Sequence, residues 1–433
     1  MNQVIKNGLL EFNATNVTSF KEDLHISFRA TPLSRTNTPR EVSSMMSKPE
    51  RLLPALAIMG ANASGKSNVL KAMDWMRMFI LGSFNATDPL GRITREPFLG
   101  TDKAKPSRFE IEMIIDGIWY RYGFEVNDEV VLKEYAHWAP KGRKVLLFNR
   151  EGQDVILGSR NRPIWRVAST LMRENALLLS AGAFQKGNSD ARKLYNWFRN
   201  NLLLADDETS VFRREYTSRM SKDSKRQHVI KELLHAADLG LSDLRIMESL
   251  LEENSSSAPN ASGALSDSDV NFNDEPEIIY VHTLDGKEYE FDEALESKGT
   301  LAWVSLIGPV FDVLVEGGIL LVDELGDRLH PSLVQQIINL FQRPETNPNF
   351  GQIIFNTHSL AILGDLDGER LLGRDQIFFT EKDFSGSSRI FRLSESAPRN
   401  DEAIPKRYMD GIYGGVPILD FQRYVAALER IEK

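Results

Sequence analysis

Cysteine is absent from the 433 residues. A chain without thiols has no disulfide framework, cysteine nucleophile, zinc ribbon or iron–sulfur site, so those classes of chemistry are excluded. An excess of positive charge is also lacking, because 52 basic against 61 acidic side chains give a formal net charge of −9. We therefore do not expect a strongly cationic coat for nucleic acid, although a local basic groove stays open.

Long hydrophobic runs are lacking as well. The most apolar stretch, 304–315, is interrupted by Gly308, Pro309 and Asp312 and falls short of the roughly 18 residues of a membrane span. The first residues carry neither the basic start and apolar core of a signal peptide nor an Arg- and Ser-rich pattern. The sequence predicts a cytoplasmic protein with no membrane partner. Its 42% apolar content is enough for sizeable cores in two or three structural units.

The first part of the chain shows strand periodicity and then an abrupt change. Alternation over 9–30 predicts a β-hairpin, and 31–51, rich in Thr, Ser, Pro and Arg, predicts a loop. The apolar run 53–59 predicts a buried strand, which leads through a glycine-bounded loop into a helix over 68–81. An antiparallel sheet is predicted next, from β-rich segments at 109–115, 119–126, 145–149 and 155–157.

The second part returns to strand and helix alternation after an interruption. Helical spacing predicts a helical insertion over 161–251, and low apolar content predicts a flexible linker over 252–275. We predict one α/β fold split by this insertion, with an N-terminal lobe over 1–160 and a C-terminal lobe over 276–433. Within the C-terminal lobe, strands are predicted at 277–282, 288–291, 319–323, 352–356 and 376–379, and helices at 299–315 and 333–341.

The loop after the strand 53–59 carries a phosphate-binding pattern, G-x-x-x-x-G-K-[ST]. Its backbone N–H groups can surround phosphate oxygens, Lys66 can reach the β- and γ-phosphates, and the Ser67 hydroxyl can hold Mg²⁺. The alternative is a strand–helix turn that binds nothing, which does not explain the lysine. The predicted nucleotide-binding residues are Gly60, Asn62, Ala63, Ser64, Gly65, Lys66, Ser67 and Asn68.

Two further strand ends carry polar groups. The strand 319–323 ends in Asp323 and Glu324, which places one carboxylate near a metal and the other near the γ-phosphate, where a base is needed. A solvated strand end is the alternative interpretation of such a pair. His358 follows the strand 352–356 and is predicted to sense the γ-phosphate, although an isolated histidine there is more often packed or solvent-facing.

These motifs resemble those of a known family. The segments 60–68, 321–331 and 355–359 resemble the Walker A, Walker B with D-loop, and switch-histidine motifs of SMC-like ABC-type ATPases, and more narrowly of the RloA-like and OLD-like bacterial AAA ATPases. The segments 16–21, 236–241 and 408–417 are similar to the RloA-like branch. The resemblance implies an ABC/SMC-like P-loop ATPase head, a mixed sheet with flanking helices and an antiparallel β subdomain.

The resemblance also implies a mechanism. ATP and Mg²⁺ would bind between two chains of a homodimer or higher homo-oligomer, with Lys66, Glu324 and His358 catalytic and Ser67 and Asp323 holding the metal. Ser297 and Gly299 match the signature that contacts the partner's γ-phosphate, although Lys298 and Thr300 depart from the usual Ser-Gly-Gly-Gln. No glutamine-loop residue is assigned.

Several departures limit what the resemblance implies. The insertion is short and lacks heptads, so long-range DNA tethering is not expected. Glu381 and Asp383 are interpreted as a strand end, and because no Asp-x-Asp follows them, no nuclease is expected in this chain. The family's role would then be anti-phage defence and abortive infection, with the ATPase sensing infection and controlling a separate nuclease or toxin.

Two other functions stay open. One is a DNA repair or maintenance ATPase whose closed dimer clamps DNA, for which the candidate contact is the basic cluster Arg213, Arg214, Arg219, Lys222, Lys225 and Arg226. The alternative interpretation of that cluster is a solvated helix face that binds no nucleic acid. The other is a scaffold that binds ATP but scarcely hydrolyses it, against which the pair Asp323 and Glu324 argues.

Overall fold

The computed structural model describes residues 5–32, 39–42, 50–102, 104–187, 189–247, 277–366, 369–396, 403–416 and 420–428. The predicted linker 252–275 lies outside the described residues. Within them, the strands are β1 (Gly8–Thr15), β2 (Leu24–Ser27), β3 (Arg40–Val42), β4 (Glu50–Leu52), β5 (Ala55–Gly60), β6 (Ser107–Ile115), β7 (Ile118–Val126), β8 (Val131–Ala139), β9 (Val145–Glu151), β10 (Asp154–Leu157), β11 (Leu202–Ala205), β12 (Leu241–Met247), β13 (Glu277–Leu284), β14 (Lys287–Asp292), β15 (Ile319–Val322), β16 (Gln352–Asn356), β17 (Asp365–Leu366), β18 (Glu369–Arg370), β19 (Ile377–Lys382) and β20 (Ser388–Arg392). The helices are α1 (Lys66–Gly82), α2 (Arg162–Leu171), α3 (Leu178–Ala183), α4 (Asp190–Asn201), α5 (Ser210–Met220), α6 (Gln227–His235), α7 (Lys298–Glu316), α8 (Pro331–Gln342), α9 (Ile404–Met409) and α10 (Phe421–Leu428).

The central sheet of the described chain has the strand order β11-β15-β16-β5-β19-β20. Its first five strands run parallel and β20 is antiparallel to β19. β5 is buried along its whole length, as expected for a parallel strand covered on both faces. Because β5, β15 and β16 are parallel neighbours, the loops that follow them meet at the same edge of the sheet.

A separate antiparallel sheet has the order β10-β9-β8-β7-β6-β1-β2, and β12, β13 and β14 form a third sheet. The predicted hairpin is confirmed as the pair β1 and β2. The predicted α/β class, with a mixed sheet, flanking helices and an antiparallel β sheet, is confirmed too.

Successive residues of β5 contribute to two different cores. Leu56 and Ile58 pack into the core shared with α1 and the antiparallel sheet. Ala55, Ala57 and Met59 pack into the core shared with α7 and α8. The alternation follows from the period of two in a strand, and it holds β5 firmly where its last residue, Gly60, begins the phosphate-binding loop.

The structure differs from the sequence prediction at several short strands. β11 lies inside the segment predicted as a helical insertion, yet it pairs in parallel with β15 as the edge of the central sheet. Its four residues are too few to show a period. β12 also lies inside the predicted helical insertion and pairs with β13. β3 and the start of β4 lie in the predicted loop 31–51, and β8 was not predicted because Lys133 and Glu134 interrupt its apolar alternation.

α7 is a core helix that supports the site. Among the described helices it is the one long and apolar enough to span a membrane by length and composition, but 61% of its apolar window is buried inside the fold. α5 packs closely against it, since a Cβ at Gly308 would lie only 3.2 Å from the Thr217 Cα. The helix therefore contributes to the protein core and carries Ser297 at its N-cap.

Candidate nucleotide-binding site

The loop between β5 and α1 has a backbone that glycine makes possible. Gly65 is the N-cap of α1 with φ 106°, and Ala63 also adopts a left-handed conformation with φ 60°. A Cβ at Gly65 would lie 2.8 Å from the Ser19 Oγ and closer still to the Ser388 Oγ. The loop is thus wrapped tightly around the start of α1, where free N–H groups and the helix dipole favour an anion.

Lys66 is buried beneath this loop, with 6% of its surface exposed. Its Nζ donates hydrogen bonds of 3.1 Å to the carbonyl oxygens of Gly60 and Ala61. Burial lowers the pKa of Lys66, and the carboxylates of Glu324 and Asp323 partly offset that effect. The ammonium is therefore already desolvated and held beside the place where phosphates would bind.

The two predicted metal ligands come together through a third residue. The Nδ2 of Asn356 donates to the Ser67 Oγ at 3.4 Å and also to the Asp323 Oδ1. One amide nitrogen thus contacts both oxygens, although they lie on different segments of the chain. A hydroxyl and a carboxylate so placed are ligands that Mg²⁺ prefers, and these residues fit that ion.

Glu324 follows β15 in a left-handed conformation with φ 55°. Its backbone N–H donates to the Asn356 Oδ1 at 2.6 Å, and the next N–H, of Leu325, donates to the Asn356 carbonyl oxygen at 2.9 Å. The sharp turn sends the Glu324 side chain to the same cavity that Lys66 lines. A carboxylate there can orient or deprotonate a water molecule.

An open cavity of about 730 Å³ is lined by much of the predicted site, whereas Asp323 lines a neighbouring cavity. His358 lines it, and burial followed by the charge of Lys66 lowers the pKa of its imidazole, so the neutral form is favoured near neutral pH. Asp327 and Lys382 line the cavity although neither was singled out by the sequence. The lining residues are Asn62, Ala63, Gly65, Lys66, Ser67, Asn68, Glu324, Asp327, His358 and Lys382.

Polar contacts fix the phosphate-binding loop to the rest of the fold. The Ser64 Oγ lies 2.6 Å from the Thr380 Oγ1 on β19. The Asn68 Nδ2 donates to the Ser19 Oγ at 2.8 Å, and Ser388 donates to the same oxygen at 2.7 Å. The sequence analysis did not assign this role to any of the three serine and threonine residues: Ser19 lies in a turn of the segment 16–21, and the strand positions of Thr380 and Ser388 offered no signal.

Ser297 and Gly299 are not among the residues that line this cavity. The Ser297 Oγ caps α7 by accepting a hydrogen bond of 3.0 Å from the Thr300 N–H. The neighbouring Lys298 lines a second cavity of about 520 Å³, between α5, α7 and the turn after β15. Within one chain, the described structure therefore does not bring the signature residues to Lys66.

The basic cluster of α5 and the following turn is divided between buried and exposed residues, since Arg219, Lys222 and Lys225 are exposed. Arg213 and Arg214 are buried, and burial lowers the pKa of Arg213 to about 10. Arg214 pairs with Glu293 at 2.5 Å, and Arg226 pairs with Asp312 at 3.1 Å. These arginines hold α5 and the turn after it to neighbouring elements.

Comparison with known proteins gives one family and several structures. The family model described as AAA domain, putative AbiEii toxin, Type IV TA system matches residues 56–364. No curated protein matches the chain. The chain is similar to a solved SmcHead bound to the C-winged helix domain of ScpA, with 14% identity, a TM-score of 0.42, and 90% of this chain and 99% of that chain covered.

Two further solved structures are similar to the chain. One is the Smc head domain with an extended coiled coil bound to the C-terminal domain of ScpA, derived from Pyrococcus furiosus, with 14% identity, a TM-score of 0.39, and coverage of 99% and 100%. The other is the SMC head domain from Thermotoga maritima, with 13% identity, a TM-score of 0.37, and coverage of 89% and 98%.

Proposed function

We propose that this chain, which belongs to the family of AAA domains described as putative AbiEii toxin, Type IV TA system, binds ATP with Mg²⁺ and hydrolyses it to ADP and phosphate. One observation carries the proposal. The ends of β5, β15 and β16 bring a buried lysine, the Ser67 hydroxyl, the Glu324 carboxylate and a histidine around one cavity, and Asn356 links that hydroxyl to the Asp323 carboxylate. That set matches the needs of phosphoryl transfer to water.

Each residue has a distinct task in this proposal. Lys66 exchanges its two carbonyl acceptors for phosphate oxygens, and Ser67 with Asp323 would hold Mg²⁺, which supplies neutralising charge for the phosphates. Glu324 accepts a proton from the attacking water as the water oxygen bonds to the γ-phosphorus and the bond to the bridging oxygen breaks. His358 contacts the γ-phosphate as a neutral imidazole.

We further propose that two chains share each site. Ser297 and Gly299 lie at the N-terminus of the 19-residue helix α7, away from the cavity of their own chain. A capped helix start offers N–H groups and a favourable dipole to an anion. In a head-to-tail homodimer or higher homo-oligomer, these residues would contact the γ-phosphate that the partner holds.

The cellular role we propose is regulatory. By resemblance, the ATPase would sense infection in a bacterial anti-phage defence system and control a separate nuclease or toxin. A direct DNA clamp is less well supported, because Arg213, Arg214 and Arg226 bond within the fold. Purification with co-migrating proteins, with and without ATP, tests which partner is present.

The central experiment compares Glu324→Gln with the wild-type protein. Glutamine keeps the shape but cannot accept the proton, so ATP binding should survive while turnover falls by roughly 10²–10⁴-fold. Titration calorimetry measures binding and phosphate release measures turnover. Exposed Glu345→Gln is the matched control and should behave as wild type. Unchanged turnover would exclude Glu324 as the base, and absence of ATP binding by the wild type would refute the proposed function.

A further inference from the structure

Asn356 is a polar residue in a place that would otherwise be apolar. It ends β16, which lies between β15 and β5 in the central sheet, and it is completely buried. A buried amide is unfavourable unless its donor and acceptor atoms find partners. The contacts of this side chain are therefore the reason that an asparagine is tolerated there.

The hydrogen bonds of Asn356 connect the two proposed metal ligands with the proposed base. The Nδ2 group donates to Asp323 and, at 3.4 Å, to Ser67. The Oδ1 accepts from the Glu324 N–H at 2.6 Å, and the backbone oxygen accepts from the Leu325 N–H at 2.9 Å. One residue thus contacts both proposed metal ligands and the backbone of the proposed base.

The first consequence concerns the metal ligands. Asp323 and Ser67 lie 33 and 289 residues away from Asn356 along the chain, so nothing local keeps them together. The amide donates to the Oδ1 of Asp323, and the Oδ2 has no hydrogen-bond partner within the described part of the chain. The arrangement fixes one oxygen of the carboxylate and leaves the other for a cation.

The second consequence concerns the base. A left-handed backbone such as that of Glu324, with φ 55°, is unfavourable for a residue that has a Cβ, and it persists only where the surroundings hold it. Asn356 holds two successive N–H groups of this turn through its side-chain and backbone oxygens. The direction of the Glu324 carboxylate therefore depends on Asn356.

We propose that Asn356 is the positioning residue that aligns the Mg²⁺ ligands Ser67 and Asp323 with the base Glu324, an inference that rests on the function proposed above. Asn356 is not among the residues that line the cavity. Its removal should weaken the metal-dependent part of ATP binding and the turnover. Binding through Lys66 and the backbone N–H groups of the loop should remain, because the hydrogen bonds of Lys66 do not involve Asn356.

The test uses Asn356→Leu, which keeps the volume and removes the three side-chain hydrogen bonds. Titration calorimetry measures ATP affinity with EDTA and with Mg²⁺, and phosphate release gives kcat and KM. The gain in affinity that Mg²⁺ provides should fall by about 10–100-fold, the usual effect of losing a residue that orients metal ligands, and kcat should fall while metal-free affinity is kept.

The matched control is Asn347→Leu. Asn347 is also completely buried and also makes three side-chain hydrogen bonds, to the Phe341 oxygen and to the oxygen and N–H of Gly351. It lies outside the cavity, so its loss should lower the melting temperature and leave the Mg²⁺-dependent gain intact. A purely structural role for Asn356 would give the same result as this control.

If Asn356→Leu does not fold, Asn356→Ser is measured instead, since serine fits within the space and is too short to make all three contacts. A folded variant at position 356 that keeps the wild-type gain from Mg²⁺ overturns the inference. Wild-type protein that shows no ATP binding overturns the proposed function instead, so the two failures are distinguishable.

Discussion

Replacing Lys66 by methionine isolates the charge of one buried side chain. Methionine keeps most of the apolar stem that packs beneath the loop, whereas alanine would also remove that packing. The charge is held by two carbonyl oxygens at 3.1 Å, those of Gly60 and Ala61. The variant should therefore fold and lose affinity for ATP.

The size of the effect follows from the state of the ammonium before ATP binds. Burial lowers the pKa of Lys66, so the cost of desolvating the charge is met on folding and is not repeated on binding. A hydrogen bond to a charged group contributes about 1.5–3 kcal/mol, which corresponds to about 10- to 150-fold in Kd. Lys66→Met should raise the Kd for ATP by an amount within this range or above it. Lys66→Ala should nearly abolish ATP binding.

Titration calorimetry at physiological salt is the assay, with thermal unfolding as a check that the variants are folded. Lys71→Met is the matched control, because Lys71 is an exposed lysine on the same helix. An ATP affinity for Lys66→Met equal to that of the control would refute the assignment of the phosphate-binding loop.

Three further predictions concern the shared site, the loop and pH. A mixture of Lys66→Ala and Ser297→Arg subunits should regain part of the ATPase activity that each lacks alone, and no recovery in proven heterodimers would contradict the shared site. Gly65→Ala should lower both stability and ATP affinity, because its Cβ would lie 2.8 Å from a serine hydroxyl. Its control, Gly386→Ala, has φ 80° and nothing within 4 Å, so left-handed strain alone should lower its free energy of unfolding in urea, by about 1–2 kcal/mol. The pKa of His358 is lowered from 6.5, so folding stability should fall as pH drops below about 6.5, and His358→Gln should remove that part of the pH dependence in the same assay.

The central strands were predictable because their signals are local. The buried strand before Gly60 and the strands that end near Asp323 and Asn356 are continuous apolar runs followed by polar residues, and all three are confirmed. β11 was not predictable, because its four apolar residues continue the apolar spacing of α4. The structure pairs it with β15, a contact between segments more than a hundred residues apart.

Within the site, the residues of the motifs could be identified from spacing, whereas Asn356 could not. Its neighbour His358 belongs to a recognisable motif, but the role of Asn356 depends on the register that places β16 between β15 and β5. Asp327 and Lys382 reach the cavity for the same reason, by the position of their strands and turns. Contacts between distant segments leave no periodic trace in a sequence.

The buried arginines of α5 connect the acidic edge of the sheet to the signature helix. Thr209 contacts the Asp206 carboxylate, and Arg213 donates to the Thr209 hydroxyl and, at 3.1 Å, to the Ser305 carbonyl oxygen on α7. Asp206 follows β11, whose last oxygen accepts the N–H of Asp323. If the Arg213 guanidinium moved to bind a DNA phosphate, it would leave the buried carbonyl oxygen of Ser305 without its hydrogen bond, which is unfavourable. Arg213 therefore fixes α5 between the edge of the central sheet at β11 and the helix α7, and substitutions at Arg213 should act first on that connection.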